Sequence, residues 1–324
     1  MSQPSSPANQ QIVTVFGASG FIGRNIVREL AKRGVRVNAV CRDVEHAKFL
    51  KPMGVVGQVT PMRADVTDPD AIARTVTGAS AVINLVGILH SSGRNTFDAI
   101  QATAPGLIAR AAKQAGATKM VHISAIGADS ESGATYARTK AQGEEAVRGA
   151  FPQATILRPS IVFGPNDAFF NRFASMAMVS PFLPLIGGGM TKFQPVYVDD
   201  VADAAMATLD LPEAAGRTYE LGGPTVFTFR ELMELTMKVM RRKRMLVEIP
   251  FWAAKIQAAV LELLPSPPLT RDQVELLKTD NVVAPGARTL AELGIEATAV
   301  DAILPTYLEK FRPGGRYNSD RIPA

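Results

Sequence analysis

Cysteine occurs once, tryptophan once and histidine three times in a chain of 324 residues. A single thiol excludes an internal disulfide framework, and three scattered histidines offer no ligand cluster for zinc or any other metal. No apolar run approaches the roughly 18 residues that a membrane-spanning helix requires, so no such span is expected. Met1 to Gln11 carry no charged side chain and no apolar core, and residues 1–11 read as a disordered tail. Neither the apolar segment of a secretory signal nor the arginines of an organellar presequence is visible there, which points to the cytosol or a cytosol-like compartment.

What the chain does have is apolar content, at 47%, enough for a full core in one large domain with a smaller lobe. Its net charge of +5 is a mild basic excess whose meaning depends on where it is concentrated. Short β-rich runs alternate with helical patterns at Ile12–Phe16, Val35–Cys41, Val59–Arg63, Ala81–Val86, Met120–Ser124 and Thr155–Leu157. Such alternation specifies an α/β fold, a doubly wound parallel sheet whose ligands sit at the carboxyl ends of the strands. Residues 12–164 are expected to form this domain, with strands returning to it over about 190–223. Residues 165–189 and 224–324 form the smaller, α-rich lobe.

The first strand runs directly into Gly17-Ala18-Ser19-Gly20-Phe21-Ile22-Gly23. Gly17 lets the chain reverse, Gly20 lets backbone approach a pyrophosphate, and Gly23 permits close helix-on-strand packing. The helix that follows carries Ile22, Ile26, Val27 and Leu30 on one face, stops at Gly34, and aims its positive dipole end at the phosphates. After the second strand, where NAD enzymes place a lone acid, stands Cys41-Arg42-Asp43. Arg42, with Arg24, suits a 2′-phosphate and favours NADP(H) over NAD(H), although a one-residue shift would put Asp43 on the ribose. Arg24 also reads as a solvated helix arginine.

Asp65-Val66 follows the third strand, where the carboxylate either accepts from an adenine amino group, with Val66 covering the ring, or caps the helix beginning near Asp68. Asn84, Val86 and Gly87 close the fourth strand beside the cofactor path. The fifth strand ends His122-Ile123-Ser124, and Tyr136 and Lys140 follow at helical i, i+4 spacing. Lysine there lowers the phenol pKa by its charge and reaches the nicotinamide ribose, while Ser124 orients a substrate oxygen for Tyr136. Tyr-x-x-x-Lys alone is commonly a surface pair; the preceding glycine loop and chain order make it an acid–base set. His122 reads as a core histidine.

Together these elements resemble the short-chain dehydrogenase/reductase superfamily in its extended or atypical branch, with Leu157 to Pro165, including Pro159, and Val196 to Ala202 as later landmarks. Tyr136 to Glu144, Phe169 to Met176, Gln194 to Val198 and Leu269 to Glu275 further resemble the Rossmann-fold accessory subunits of respiratory complex I. That resemblance implies a tightly held NADPH of largely structural role, Arg42 at its 2′-phosphate, and partners among complex I subunits or another membrane complex. It also implies a place near the membrane and quinone site. Lacking a presequence, the chain reads as a bacterial relative, peripheral on the cytoplasmic side of the inner membrane or soluble in the cytoplasm. The competing reading is an active NADP-dependent oxidoreductase or sugar-nucleotide epimerase/dehydratase, with a link to quinone metabolism.

In the smaller lobe, Thr228 to Glu231 form a capping box, and the helix it opens leads to Lys238, Arg241, Arg242, Lys243 and Arg244. Ile249 to Leu264, holding the only tryptophan, is an apolar amphipathic stretch that reads either as a core helix or as an interfacial one beside a basic cluster on an anionic membrane. No nucleic-acid motif accompanies these cations.

Overall fold

The computed structural model describes residues 11–265 and 267–315, so the expected tail lies outside the described residues save for Gln11. In chain order the strands and helices begin β1 (Ile12–Phe16), α1 (Phe21–Lys32), β2 (Arg36–Cys41), β3 (Val59–Arg63), α2 (Pro69–Val76) and β4 (Ala81–Asn84). There follow α3 (Ala104–Gln114), β5 (Lys119–Ile123), α4 (Thr135–Ala150), β6 (Thr155–Pro159), β7 (Val162–Phe163), α5 (Phe170–Val179) and β8 (Phe182–Ile186). Next come β9 (Lys192–Phe193), β10 (Val196–Tyr197), α6 (Val198–Asp210), β11 (Thr218–Leu221) and β12 (Phe227–Thr228). The chain ends with α7 (Phe229–Val239), β13 (Met245–Ile249), α8 (Phe251–Leu261), α9 (Arg271–Leu276) and α10 (Val300–Leu308).

The central sheet has seven strands in the order β11-β6-β5-β4-β1-β2-β3, and β1 to β6 pair in parallel. Apolar β-branched residues make these strands, with Val13, Val15, Val37, Val82 and Ile83 buried. The helices cover them with single apolar faces. Ile26, Val27 and Leu30 of α1 are buried, and Gly34, at φ 75°, follows its C-cap residue Arg33. Asp68, with Pro69 next to it, caps α2 by accepting from the Asp70 and Ala71 amides. The cap is therefore Asp68 and not Asp65, whose carboxylate takes the Thr67 amide and hydroxyl instead.

The expected strand limits shift at their ends for local reasons. β4 stops at Asn84, short of Val86, because the Asn84 side-chain oxygen accepts the Val86 amide and turns the backbone out of the ladder. Val196–Tyr197, expected to return to the central sheet, pairs instead with β7. Of the later strands only β11 joins the large sheet; β12 pairs with β9, and β13 with β8.

The chain divides into two compact units. The first comprises residues 1–124, 139–157 and 202–219 and carries most of the central sheet. The second comprises residues 125–138, 158–201 and 220–324. Its core gathers Phe163, Phe170, Leu232, Met233, Leu304 and Leu308, with edge-on ring contacts such as Phe169 to Phe170 at 5.1 Å. Capping boxes at Thr228/Glu231 and Thr270/Gln273 start α7 and α9. Among the described residues no helix is long and apolar enough to cross a membrane.

Candidate functional site

Strand order reverses between β1 and β4, and the loops leaving their carboxyl ends meet there. Gly17 adopts φ +81°, and a Cβ on it would lie 3.3 Å from the Leu85 carbonyl carbon. A Cβ on Gly23 would lie 2.2 Å from the Gly17 carbonyl oxygen, so only glycine lets α1 start this close to the turn. Gly20 is exposed at the N-cap of α1, which has no side-chain cap and no acidic residue in its first turn. Ser19 and, in the first turn, Phe21 and Ile22 are partly exposed at the same end. An uncapped helix start behind a glycine loop is built to receive an anion.

Arg24 is not a freely solvated helix arginine. Its guanidinium donates to the Ser19 and Gly20 carbonyls at 3.1 and 3.2 Å and stacks over Phe49 at 4.8 Å. Arg42 stands exposed directly after β2. Thr67's amide and hydroxyl hold the Asp65 carboxyl below its ordinary value, and the charges of Arg42 and Arg94 lower it further. This corner of the first unit is thus lined by arginines with an exposed carboxylate among them. Val66 is partly buried against the core cluster that includes Phe16 and Val40.

Farther along the sheet edge, Asn84 is fully buried and holds the Val86 amide through its oxygen. Its amide nitrogen therefore faces His122 Nδ1, 3.1 Å away, which accepts and leaves the proton on Nε2. That Nε2 is buried without a partner, as are Ser124 Oγ and Gln101 Oε1. Burial takes the imidazole down to about 3, with the Lys140 charge assisting, so His122 is a neutral core group. Gly87 brings backbone close to Lys140: a Cβ there would lie 3.2 Å from Nζ and 3.6 Å from Gln101 Oε1.

Lys140 is buried on α4, and burial brings its ammonium down to about 8 while Glu144, one turn on, opposes the shift. Nζ approaches the Ile123 carbonyl at 3.4 Å. Tyr136 lies one turn earlier on the same helix, where the Asp272 carboxylate accepts the amides of Thr135 and Tyr136. Burial pushes its phenol up to about 12. The expected depression by Lys140 is not realised: the shift runs upward, and desolvation of the phenolate is its cause. Pro159 closes β6, and its carbonyl accepts the Ile126 amide.

Three features were not legible in sequence. Gln101 sits in a π-helical turn over Asp98–Thr103, and its Nε2 reaches Thr139 Oγ1 at 3.4 Å. Phe49 comes from a short 3₁₀ helix over Lys48–Met53 and Arg94 from a turn, neither of which carries a periodic signal. Glu144 was accessible, four residues beyond Lys140 on a helical pattern. No group of metal-ligating side chains assembles among the described residues.

A nicotinamide nucleotide fits the residues present: a tight glycine turn whose Gly23 leaves no room for a Cβ, an uncapped helix start, an arginine corner, and unpartnered polar atoms at Ser124 and Gln101. Residues 13–222 match the NAD dependent epimerase/dehydratase family. Over 316 residues the chain is 40% identical to NADH dehydrogenase [ubiquinone] 1 alpha subcomplex subunit 9, mitochondrial, of Arabidopsis thaliana, covering 94% of this chain and 79% of that protein. It is 32% identical to the NADH-ubiquinone oxidoreductase 40 kDa subunit, mitochondrial, of Neurospora crassa, covering 94% and 80%. The fold is shared with MoeE5 in complex with UDP-glucose and NAD, at TM-score 0.71 and 18% identity, covering 92% of this chain and 97% of that one. Matched over residues 13–222, about two thirds of its length, the chain belongs to the NAD dependent epimerase/dehydratase family.

Proposed function

We propose that the chain binds NADP(H) and serves as an accessory subunit of a complex I-like NADH:ubiquinone oxidoreductase, held peripherally at the cytoplasmic face of a respiratory membrane. The observation that carries this is the reach of the likeness. The 40% identity extends over 316 residues, well beyond the 13–222 segment of the general family, and so takes in much of the second unit. Gly17, Gly20 and Gly23 with the start of α1 hold the pyrophosphate, and Arg24 and Arg42 the 2′-phosphate. Asp65 and Val66 meet the adenine, and Val86 and Gly87 let the cofactor pass.

A bound nicotinamide nucleotide supplies a hydride donor or acceptor. The chain's own residues bind and orient it: Lys140 donates to its ribose, and Ser124 and Tyr136 hold a proton at their hydroxyls. In the accessory role these groups retain the nucleotide and need not turn it over.

The test is a pair of variants in a cell that assembles the complex. Tyr136→Phe leaves assembly intact, whereas Gly20→Val, which fills the pyrophosphate approach, abolishes it. The opposite pattern, normal assembly in both and loss of a substrate-dependent NADPH oxidation in Tyr136→Phe, would make the chain an active oxidoreductase or epimerase.

A further inference from the structure

Helix α8 is apolar on both sides. Ala254 and Ala258 are buried in a small core with Ile186 and Val274. On the opposite side Trp252, Ile256 and Val260, four residues apart, are 69%, 61% and 64% exposed, and Leu263 and Leu264 continue the stripe beyond the helix end. The charged residues of this stretch lie off the stripe: Lys255 pairs with Glu275 at 2.7 Å, and Glu262 with Arg271 at 2.8 Å. A lone exposed leucine needs no explanation, but an uncharged row of five large apolar side chains does.

The strand entering α8 supplies the second observation. Arg241, Arg242, Lys243 and Arg244 immediately precede β13, whose first residue, Met245, is exposed beside its register partner Phe182. Arg244 donates to the Ala177 carbonyl at the end of α5, next to the exposed Met178 and Val179. Arg242 donates to the Phe311 carbonyl. These two arginines bond carbonyl oxygens and so keep their charge. The nearby acids, Glu248 and Glu262, are each engaged by an arginine, Arg230 and Arg271. Exposed apolar side chains thus stand at both ends of a five-residue strand, with positive charge at one end. At about 3.3 Å per residue that strand is roughly 16 Å long, short enough for one bilayer surface to meet both ends.

We propose that this part of the second unit binds an anionic phospholipid bilayer, α8 laying its Trp252 stripe at the headgroup–acyl boundary and the 241–244 cations taking lipid phosphates. Apolar area and positive charge act together there, with tryptophan as the interfacial anchor. The inference deepens the peripheral placement above but rests on this surface alone.

Trp252 is the only tryptophan in the chain, so its emission reports the contact directly. Phosphatidylcholine vesicles containing phosphatidylglycerol should shift that emission to the blue and sediment the protein, whereas pure phosphatidylcholine vesicles should do neither. Val260→Glu should abolish binding, and Lys243→Gln should weaken it roughly fivefold, the loss of one surface cation. Both side chains are exposed, so far-UV circular dichroism should be unchanged in each variant. Emission that ignores both vesicles, or equal partition onto neutral and anionic ones, would overturn the proposal. So would a blue shift that grows with protein concentration without lipid, since a second copy would then cover the stripe. Vesicle binding by a chain that co-migrates with no respiratory subunit would keep this surface and remove the accessory role; co-migration without vesicle binding would do the reverse.

Discussion

Arg42 and His122 show how single side chains in the first unit carry separable consequences. A guanidinium forms charge-assisted, bidentate bonds to phosphate, each worth about 1.5–3 kcal/mol. Arg42→Ala should therefore weaken NADPH binding roughly ten- to a hundredfold while leaving NADH unchanged, as read by fluorescence titration. Equal losses for both nucleotides would take the 2′-phosphate away from Arg42. His122 acts on stability. Burial holds its folded pKa near 3, against 6.5 for the ordinary imidazole. Between those values the unfolded chain binds more protons than the folded one, so the His122 contribution is full above about pH 6.5 and is lost as pH falls toward about 3. His122→Gln should flatten that decline in urea midpoints measured near pH 7 and near pH 4; an unchanged slope would mean the imidazole is not buried neutral. The glycines, Arg42, Ser124, Tyr136 and Lys140 were legible because each follows a strand or sits at a helical spacing. The direction of the Tyr136 shift was not, because sequence displays the neighbouring lysine but not the burial of the phenol that sets the shift.

Helix α4 meets the π-helical turn before α3 so closely that a Cβ on Gly143 would lie 2.0 Å from the Gln101 carbonyl oxygen. Helix propensity alone favours Gly143→Ala by about 1 kcal/mol. The clash is with backbone, which cannot rotate away, and overpacking of this kind typically costs about 1–3 kcal/mol. The variant should unfold at lower denaturant concentration than the parent; a higher midpoint would contradict the close approach. The elements that sequence announced well are those with a clear apolar pattern, β1, α1 and the parallel strands after them. It misplaced Val196–Tyr197 because a two-residue strand carries no period by which to choose a partner. It read Ile249 to Leu264 as amphipathic, whereas α8 is apolar on both sides, and only the packing of Ala254 and Ala258 reveals which side is covered.

Across the whole molecule, the likeness to complex I subunits runs through both units, so each is expected to matter to one assembly. The first offers the nucleotide cradle, and the second the Trp252 stripe and the 241–244 cations. Purification of the protein from native membranes in mild detergent, with identification of its nucleotide and of the proteins that migrate with it, tests the central claim most directly. The account predicts NADP(H) in near-stoichiometric amount together with respiratory complex I subunits. Protein that migrates alone, or that carries no NADP(H), would contradict it.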